Sequence, residues 1–568
     1  LETAPQKPCL VDTGRGFSVS YNNKLLYSKY DPKKNIVNLV NSLNLLPGTL
    51  IIAASPLLWY GLEELVQKLP KDCYILGIEQ DKNLFEIAES ELNKIISQKP
   101  QFSDLVKLIP PQKTDYIVNI VSGINIEDEY RIPQTSNFRR AILIEFSGGT
   151  LLNKPIYQNA ALMAQNTIGS FWKNRLTLTK LGRLYSRNIF KNFGEISQSI
   201  NLKKLCGTID KPVFVFGAGE STVETLKIVS KEMLKKCFTI AVDAAVPILS
   251  QFGIVSDAVV AVEGQLAIEK AYIGSNKIKS LVFADFTSRN SVLRHFSKKS
   301  FFISDFTQAN FLERIKKEDF SPLSVPPLGS VGLTATYLAL LLRKNTTVPV
   351  FLTGLDFSYS LGKTHGQNAP AHIARLTKSN RFNPIENYAA SFKDGAIKTT
   401  ELNGTTYFTD IALSNYAKSF ADQFSKAQNL FNCTDFGLNI GLPFVNAAQL
   451  NEYLSNLNKV DRSEVSKLSY EDSENEQNQN LSSAKKFLEA EEKALNRIKE
   501  LLMFGKDVEM CGVPLEQELN QLISQREYLF LHFPDGYRCN TADLSFLKRV
   551  RSEVDFFLKD IKGGISKL

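Results

Sequence analysis

The sequence predicts an α/β protein with three regions: a Rossmann-like N-terminal domain, a central domain built on a mainly parallel sheet, and a C-terminal helical bundle. Through the first two regions, short apolar runs alternate with helical patterns, as is typical of parallel sheets. Five central runs carry an acidic residue at or just past their C-terminal ends. The C-terminal region instead has apolar residues at spacings of three and four, which indicates amphipathic helices.

Composition excludes several classes of protein. The chain has 568 residues, of which 43% are hydrophobic and 22% charged, so neither wholesale disorder nor a fibrous repeat is expected. A net charge of +8 is small for this length and does not predict nucleic-acid binding. No apolar run reaches the roughly 18 residues of a membrane span, and the 7 cysteines form no CxxC pair. We therefore predict a cytoplasmic protein without membrane or nucleic-acid partners.

Changes in composition along the chain predict the domain boundaries. Residues 50–54 and 74–78 are strand patterns, and 83–96 is a helical pattern between polar segments. A basic stretch without acids follows at 173–191, and a segment rich in Ser, Asn, Gln and Glu separates the last helices. The predicted units are an N-terminal domain at 1–160, a helical connector at 161–205, a central domain at 206–450, a flexible linker at 451–482 and a helical bundle at 483–568.

The N-terminal domain has one candidate ligand residue. Glu79 follows the second predicted strand, where an acid can bond a ribose. The turn after the first strand reads Ala54-Ser55-Pro56 and lacks the glycines that a nucleotide needs for close approach. The preferred interpretation is a Rossmann-like domain that binds no nucleotide. The basic face at 173–191 either faces solvent or meets an acidic partner.

The strongest motif lies in the central domain. An apolar strand at 213–216 is followed by Gly217, Gly219 and Ser221 and then by a helical pattern. Glycine allows close backbone approach, and a helix N-terminus presents free N–H groups, so this turn predicts a phosphate site. Glu220 opposes it, because a carboxylate repels phosphate; its alternative role is an acid in the first helical turn.

Polar residues at other strand and helix ends complete the candidate site. Asp243, Glu263 and Asp356 follow strand patterns, where carboxylates can bind ribose hydroxyls or a metal, or can cap the next helix. Gly329 and Ser330 precede an apolar helix and predict either a second anion site or a Ser N-cap.

The loop after Asp356 contains Lys363 and His365. A histidine in a glycine-rich loop at the ligand edge is a candidate general acid or base, because its pKa is close to neutral. His372 has no third ligand at metal spacing, so we predict no metal site there.

The ordered set of central motifs resembles the motility accessory factor (Maf) family of flagellin glycosyltransferases. The motifs are GAGES, AVDAA, the strand ending at Glu263, GSVG, TGLDFSYSLGKTH, the Asn403-Gly404 turn and NCTDFG. The same domain is similar to archaeal 6-hydroxymethylpterin diphosphokinases and more distantly to bacterial sialyltransferases. The resemblance covers most of 206–450 and implies a sialyltransferase-like fold there.

The resemblance implies transfer of a nonulosonic acid, of the pseudaminic, legionaminic or sialic type, from a CMP-activated donor to Ser or Thr of flagellin, in support of filament assembly and motility. It places the donor on Gly217, Gly219, Ser221, Asp243, Glu263, Gly329, Ser330 and Lys363, with His365 and Asp356 catalytic. No cofactor is required, although Mg²⁺ is compatible. The chain departs from the family at Glu220, where proline is usual, and at Glu263, where aspartate is frequent, which bears on donor affinity or identity.

Two alternatives remain from the sequence. One is a pterin diphosphokinase that uses ATP and holds Mg²⁺ on Asp243, Glu263 and Asp356. The other is a non-catalytic factor that binds flagellin or assists its export.

Overall fold

The computed structural model describes residues 7–123, 127–196, 199–275, 278–307, 309–385, 396–400, 406–456, 474–504, 515–534 and 539–568. The chain divides into two compact units, Leu1–Leu178 and Thr179–Leu568. Within the described ranges, none of the helices is both long enough and apolar enough to cross a membrane.

The first unit contains a small antiparallel sheet and a parallel sheet. Its strands are β1 (Cys9–Asp12), β2 (Phe17–Tyr21), β3 (Lys24–Leu25), β4 (Thr49–Ala54), β5 (Tyr74–Ile78), β6 (Val106–Ile109) and β7 (Arg140–Glu145). Its helices are α1 (Lys34–Ser42), α2 (Leu62–Gln67), α3 (Lys82–Gln98), α4 (Ile117–Ser122) and the start of α5 (Lys154–Phe193). The parallel sheet has the order β6-β5-β4-β7, which confirms the Rossmann-like prediction.

The second unit is built on a parallel sheet of nine strands. The order is β14-β13-β12-β11-β10-β9-β15-β18, with β8 paired to β13. The strands of this unit are β8 (Ser199–Ile200), β9 (Val213–Phe216), β10 (Phe238–Val242), β11 (Ala258–Ala261), β12 (Ile278–Asp285), β13 (Phe296–Ser304), β14 (Leu323–Val325), β15 (Val350–Thr353) and β18 (Leu430–Asn432), with β16 (Ala396–Thr400) and β17 (Thr406–Asp410) forming a separate antiparallel pair.

Helices cover both faces of the large sheet. They are α6 (Glu220–Ile228), α7 (Lys231–Leu234), α8 (Val246–Gln251), α9 (Asn290–Leu293), α10 (Asn310–Lys316), α11 (Val331–Leu342), α12 (Pro370–Leu376), α13 (Ile411–Phe424), α14 (Ala447–Asn456), α15 (Glu474–Phe504), α16 (Leu515–Ser524) and α17 (Leu544–Ile565). Successive strand residues alternate between the two cores: Phe283 packs with α11, whereas Val282 and Ala284 pack with the C-terminal helices. Burial on both faces explains why the strands are continuous apolar runs.

The C-terminal helices are confirmed, but two predicted boundaries are wrong. The 451–482 segment is not a linker throughout, because 451–456 belong to α14 and 474–482 to α15. The physical reason is that this segment contains no Gly or Pro to stop a helix; residues 457–473 lie outside the described part. The bundle at 483–568 also belongs to the same compact unit as the sheet, since its apolar stripes form one core with sheet residues.

The basic stretch at 173–191 lies in α5, and its later residues are paired within the second unit. Arg183 forms an ion pair with Glu553 of α17 at 2.8 Å. Asp560, also in α17, forms ion pairs with Arg187 at 3.4 Å and with Lys191 at 3.7 Å. These three side chains pair with acids of the same chain and stay 31–44% exposed, so this end of the basic stretch both meets acidic groups and faces solvent. Their role is to dock α5 on α17.

A buried charge cluster links the C-terminal helices to α10. The side chain of Glu491 is fully buried and accepts hydrogen bonds from Arg314, from Arg526 at 3.0 Å and from the Tyr528 hydroxyl at 2.7 Å. The buried carboxyl group is therefore paired with two guanidinium groups, as a buried charge requires.

We predict that Glu491→Ala lowers the free energy of unfolding by about 3–5 kcal/mol, because it leaves two arginines without their buried anion. The measurement is urea unfolding followed by fluorescence. The control is Asp555→Ala, which removes an exposed ion pair with Lys499 and should cost less than about 1 kcal/mol. Equal losses in the two variants would contradict this account of the cluster.

Candidate functional site

The strand order places a ligand position between β9 and β15. From β9 to β14 the chain adds strands in one direction, and β15 then pairs on the opposite side of β9. At such a reversal the loops that leave the two strands diverge at the carboxyl edge, where open α/β sheets bind ligands. Here those loops are 217–219, which leads into α6, and 354–369, which leads into α12.

The two loops are in direct backbone contact. The Gly217 amide donates to Thr353 O at 2.8 Å, and the Gly219 amide donates to Gly354 O at 2.9 Å. A Cβ at Gly217 would clash with Gly354 O, and a Cβ at Gly219 would clash with the Asp356 carboxylate. Glycine is thus required at both positions for the packing of one loop on the other, whether or not a phosphate binds.

Asp356 occupies the N-terminus of α6. Its Oδ2 accepts from the Ser221 amide at 3.0 Å, its Oδ1 accepts from the Ser221 hydroxyl, and it is only 2% exposed. Burial raises the pKa of Asp356 to about 6, with a contribution from the charge of Glu220 and opposed by the Ser221 bonds. An internal carboxylate therefore takes the place that we predicted for a phosphate, and a direct phosphate contact by Ser221 requires exchange of these bonds.

Asp243 is a buried acid with an unused acceptor. It is 3% exposed; Oδ1 accepts from the Ala244 amide at 2.7 Å, while Oδ2 has no hydrogen-bond partner among the described residues. Burial, assisted by the charge of Glu263, raises the pKa of Asp243 to about 7. The N-cap of α8 is Ala245, so the helix-capping alternative for Asp243 is wrong. An unpaired buried oxygen of this kind is expected where a polar ligand binds.

Tyr272 lies close to Asp243 and is absent from the residues predicted from the sequence. The Tyr272 hydroxyl is buried and has no partner in the described part of the chain, and burial together with the charge of Asp243 raises its pKa. No motif marks this tyrosine, which is the last residue of a short 3₁₀ helix, Leu266–Tyr272. Glu263 accepts from the Gln265 amide at 2.8 Å and remains partly exposed at the end of β11.

Gly329 and Ser330 form the start of α11. Gly329 has a φ of +75°, which favours glycine, and it lies beside the Tyr416 ring. Ser330 is the N-cap residue, but its side chain makes no capping hydrogen bond, so the plain Ser-cap alternative is not what the structure has. Gly332 in the first turn packs against Leu355, which brings this helix N-terminus to the loop that follows β15.

Lys363 and His365 lie on the same loop further along. The Gly366 amide donates to Ala218 O at 2.8 Å and so joins this part of the loop to the β9–α6 turn. Burial and the charge of Arg375 lower the pKa of His365, which favours a neutral imidazole able to accept a proton. Lys363 is 46% exposed and pairs with Glu220 at 3.4 Å.

The N-terminal candidate Glu79 has a structural role. It is fully buried and accepts from the Ser55 hydroxyl at 2.6 Å, the Tyr157 hydroxyl at 2.9 Å and the Asp81 amide at 3.0 Å. Both oxygens of Glu79 are thus used inside the first unit. The Asn403-Gly404 turn lies outside the described residues.

The three carboxylates of the kinase alternative are not assembled as a metal site. Within the ranges that the structure describes, no group of three or more His, Cys, Asp or Glu side chains is placed to hold a metal ion. Both oxygens of Asp356 are bonded to Ser221 instead. The prediction that Asp243, Glu263 and Asp356 together hold Mg²⁺ is therefore wrong for this conformation.

The fold is that of a Maf-type protein. The chain is similar to the solved structure described as the MAf glycosyltransferase from Magnetospirillum magneticum AMB-1, with a TM-score of 0.54, 13% identity, and coverage of 98% of this chain and 91% of that one. The family profile described as 6-hydroxymethylpterin diphosphokinase MptE-like matches residues 187–362. The resemblance predicted from the central motifs is thus confirmed.

The chain also has a relative of the same length class. An uncharacterized protein of Treponema pallidum (strain Nichols) is 31% identical over 97% of this chain and 94% of its own length. The chain belongs to the family of that treponemal protein. The identity extends over nearly the whole of both chains and not only over the central domain.

We predict that Asp243→Asn changes how stability depends on pH. The pKa is raised from 3.8 unfolded to about 7 folded, so the parent loses stability as pH rises from about 4 to 7, because the unfolded chain ionises at Asp243 while the buried group stays protonated. The variant lacks this loss and should gain up to about 4 kcal/mol over the parent across that range. Unfolding free energies at several pH values test this; Glu224→Gln, at an exposed site, should follow the parent. Parallel curves for Asp243→Asn and the parent would refute it.

Proposed function

We propose that this protein is a glycosyltransferase that moves a nonulosonic acid from a CMP-activated donor to Ser or Thr of flagellin. The observation that carries the proposal is the fold likeness to a Maf glycosyltransferase over 98% of the chain. The site supports it: the strand reversal, a buried acid with a free oxygen and an uncapped helix N-terminus lie at one sheet edge. These features suit a nucleotide whose sugar is to be transferred.

The proposed roles follow from the contacts. Asp243 accepts a hydrogen bond from a donor hydroxyl or amino group, because its Oδ2 is free. The N-terminus of α11, with Gly329 and Ser330, and Lys363 stabilise the phosphate of departing CMP. Gly217, Gly219, Ser221 and Asp356 hold the two loops together, so we assign Asp356 to positioning and not to bond making.

The proposed reaction is a single displacement or its dissociative equivalent. The acceptor oxygen forms a bond to the anomeric carbon, and the bond from that carbon to the CMP phosphate oxygen breaks. The acceptor proton passes to the neutral His365 imidazole, whose lowered pKa keeps it available near pH 7. Because CMP leaves as a phosphate monoester, we propose that no metal is required.

A second candidate is a pterin diphosphokinase. It is favoured by the MptE-like match over residues 187–362, which spans β9 to β15 and therefore the whole strand reversal. It requires Mg²⁺-dependent ATP binding, whereas the transferase requires CMP binding. The non-catalytic alternative requires flagellin binding without any nucleotide.

We predict that CMP binds without metal and that Asp243→Ala weakens it by about tenfold or more, through loss of a hydrogen bond to a charged group. Calorimetry with CMP, UDP and ATP, each with and without Mg²⁺, is the measurement. Glu224→Ala, on the outer face of α6, should bind like the parent. ATP binding that needs Mg²⁺, with no CMP binding, would replace the transferase by the kinase.

We predict that His365→Ala lowers the rate of sugar transfer to flagellin by about 100-fold or more, the usual contribution of a general base. The assay is mass spectrometry of flagellin incubated with the donor. His532→Ala, a histidine that contacts Glu553 in the helical region, is the matched control and should retain activity. Undiminished transfer by His365→Ala would remove His365 from the mechanism.

A further inference from the structure

Glu220 is one of the two residues at which this chain departs from the pattern that the Maf resemblance implies, and its side chain bonds to the opposite loop. The carboxylate is 16% exposed and accepts from the Ser360 amide at 2.7 Å and from the Ser360 hydroxyl at 2.7 Å. It also pairs with Lys363 at 3.4 Å. Glu220 therefore faces hydrogen-bond donors and a cation, and its charge is compensated before any ligand binds.

Ser360 directly follows the part of the loop that bonds to β17. Before it, Tyr359 exchanges two backbone hydrogen bonds with Phe408 of β17, at 2.9 and 2.7 Å, and Thr409 Oγ1 donates to Phe357 O at 3.0 Å. After it, the next bond to the β9–α6 turn is made by Gly366 to Ala218 O at 2.8 Å. The intervening segment 361–365, which contains Lys363 and His365, thus lies between two contacts with the start of α6 and the turn before it, Glu220 with Ser360 and Ala218 with Gly366.

Through these contacts, Glu220 and Ala218 fix the position of the segment 361–365. Arg375 of α12 adds hydrogen bonds to Gly362 O and, at 3.1 Å, to Thr364 Oγ1, but α12 itself follows the same loop. Proline, which the Maf resemblance implies at position 220, has no side-chain acceptor and could not bond Ser360 as the Glu220 carboxylate does.

We propose that Glu220 is the positioning residue for the loop segment 360–366, holding Lys363 and His365 against the β9–α6 turn. The work assigned to those two side chains rests on the proposed transferase function. The hydrogen bonds between Glu220 and Ser360 do not rest on that function, because they are present in the protein without a ligand.

The test is hydrogen–deuterium exchange of peptides covering residues 357–366, read by mass spectrometry on the full chain. Glu220→Ala should accelerate exchange there by about tenfold, because hydrogen bonds to a charged acceptor are lost. Glu220→Gln retains an acceptor oxygen and should restore protection. Ser360→Ala, which removes only the hydroxyl donor, should accelerate exchange by a smaller factor, and Glu224→Ala on the same helix should change nothing. Unchanged exchange in Glu220→Ala would overturn the proposal.

CMP affinity, measured on the same variants, separates this inference from the proposed function. Weaker binding in Glu220→Ala that is restored in Glu220→Gln supports the positioning role. Faster exchange in Glu220→Ala with unaltered CMP affinity would overturn that role in ligand binding. Faster exchange in Glu220→Ala, together with a parent protein that binds no CMP, would leave the anchor formed by Glu220 in place and reject the transferase.

Discussion

The contact between the loops that follow β9 and β15 is the constraint on which the site depends. Strand order alone would leave an open crevice at this reversal. Instead, the amides of Gly217 and Gly219 and both donors of Ser221 are bonded across the crevice, to Thr353 O, Gly354 O and Asp356. The part of the crevice that these residues line is therefore closed by protein, and a ligand must bind to neighbouring groups at the same edge of the sheet.

Electrostatics at this edge follow from burial. The pKa of Asp243 and that of Asp356 are both raised, because each carboxyl group lies in the interior next to another acid. They differ in what they bond: Asp356 is saturated by Ser221, whereas Asp243 keeps a free oxygen. That difference separates a residue that organises the loops from one that is available to a ligand.

The C-terminal helices contribute indirectly. Their apolar stripes complete the second face of the large sheet, and the Glu491 cluster fastens them to α10. The carboxyl edge can therefore present polar groups at the strand ends while the strands themselves remain buried on both faces. The match of the treponemal relative over nearly the full chain agrees with a fold in which these helices are integral.

The sequence by itself determined the fold class, because buried parallel strands and amphipathic helices have distinct periodicities that local residues carry. It also determined which strands and helices carry the candidate site residues. Only the tertiary structure decided what each strand-end acid does. Asp285 resembles Asp243 in sequence, yet it accepts from the Thr287 amide at 2.7 Å and the Ser304 amide at 2.8 Å, whereas Asp243 keeps a free oxygen. The tertiary structure likewise turned Glu220 from an expected obstacle to phosphate into a partner of Ser360. Hydrogen-bond partners 130 or more positions apart, such as Ser221 and Asp356, depend on how the whole sheet is assembled, and no local pattern encodes that.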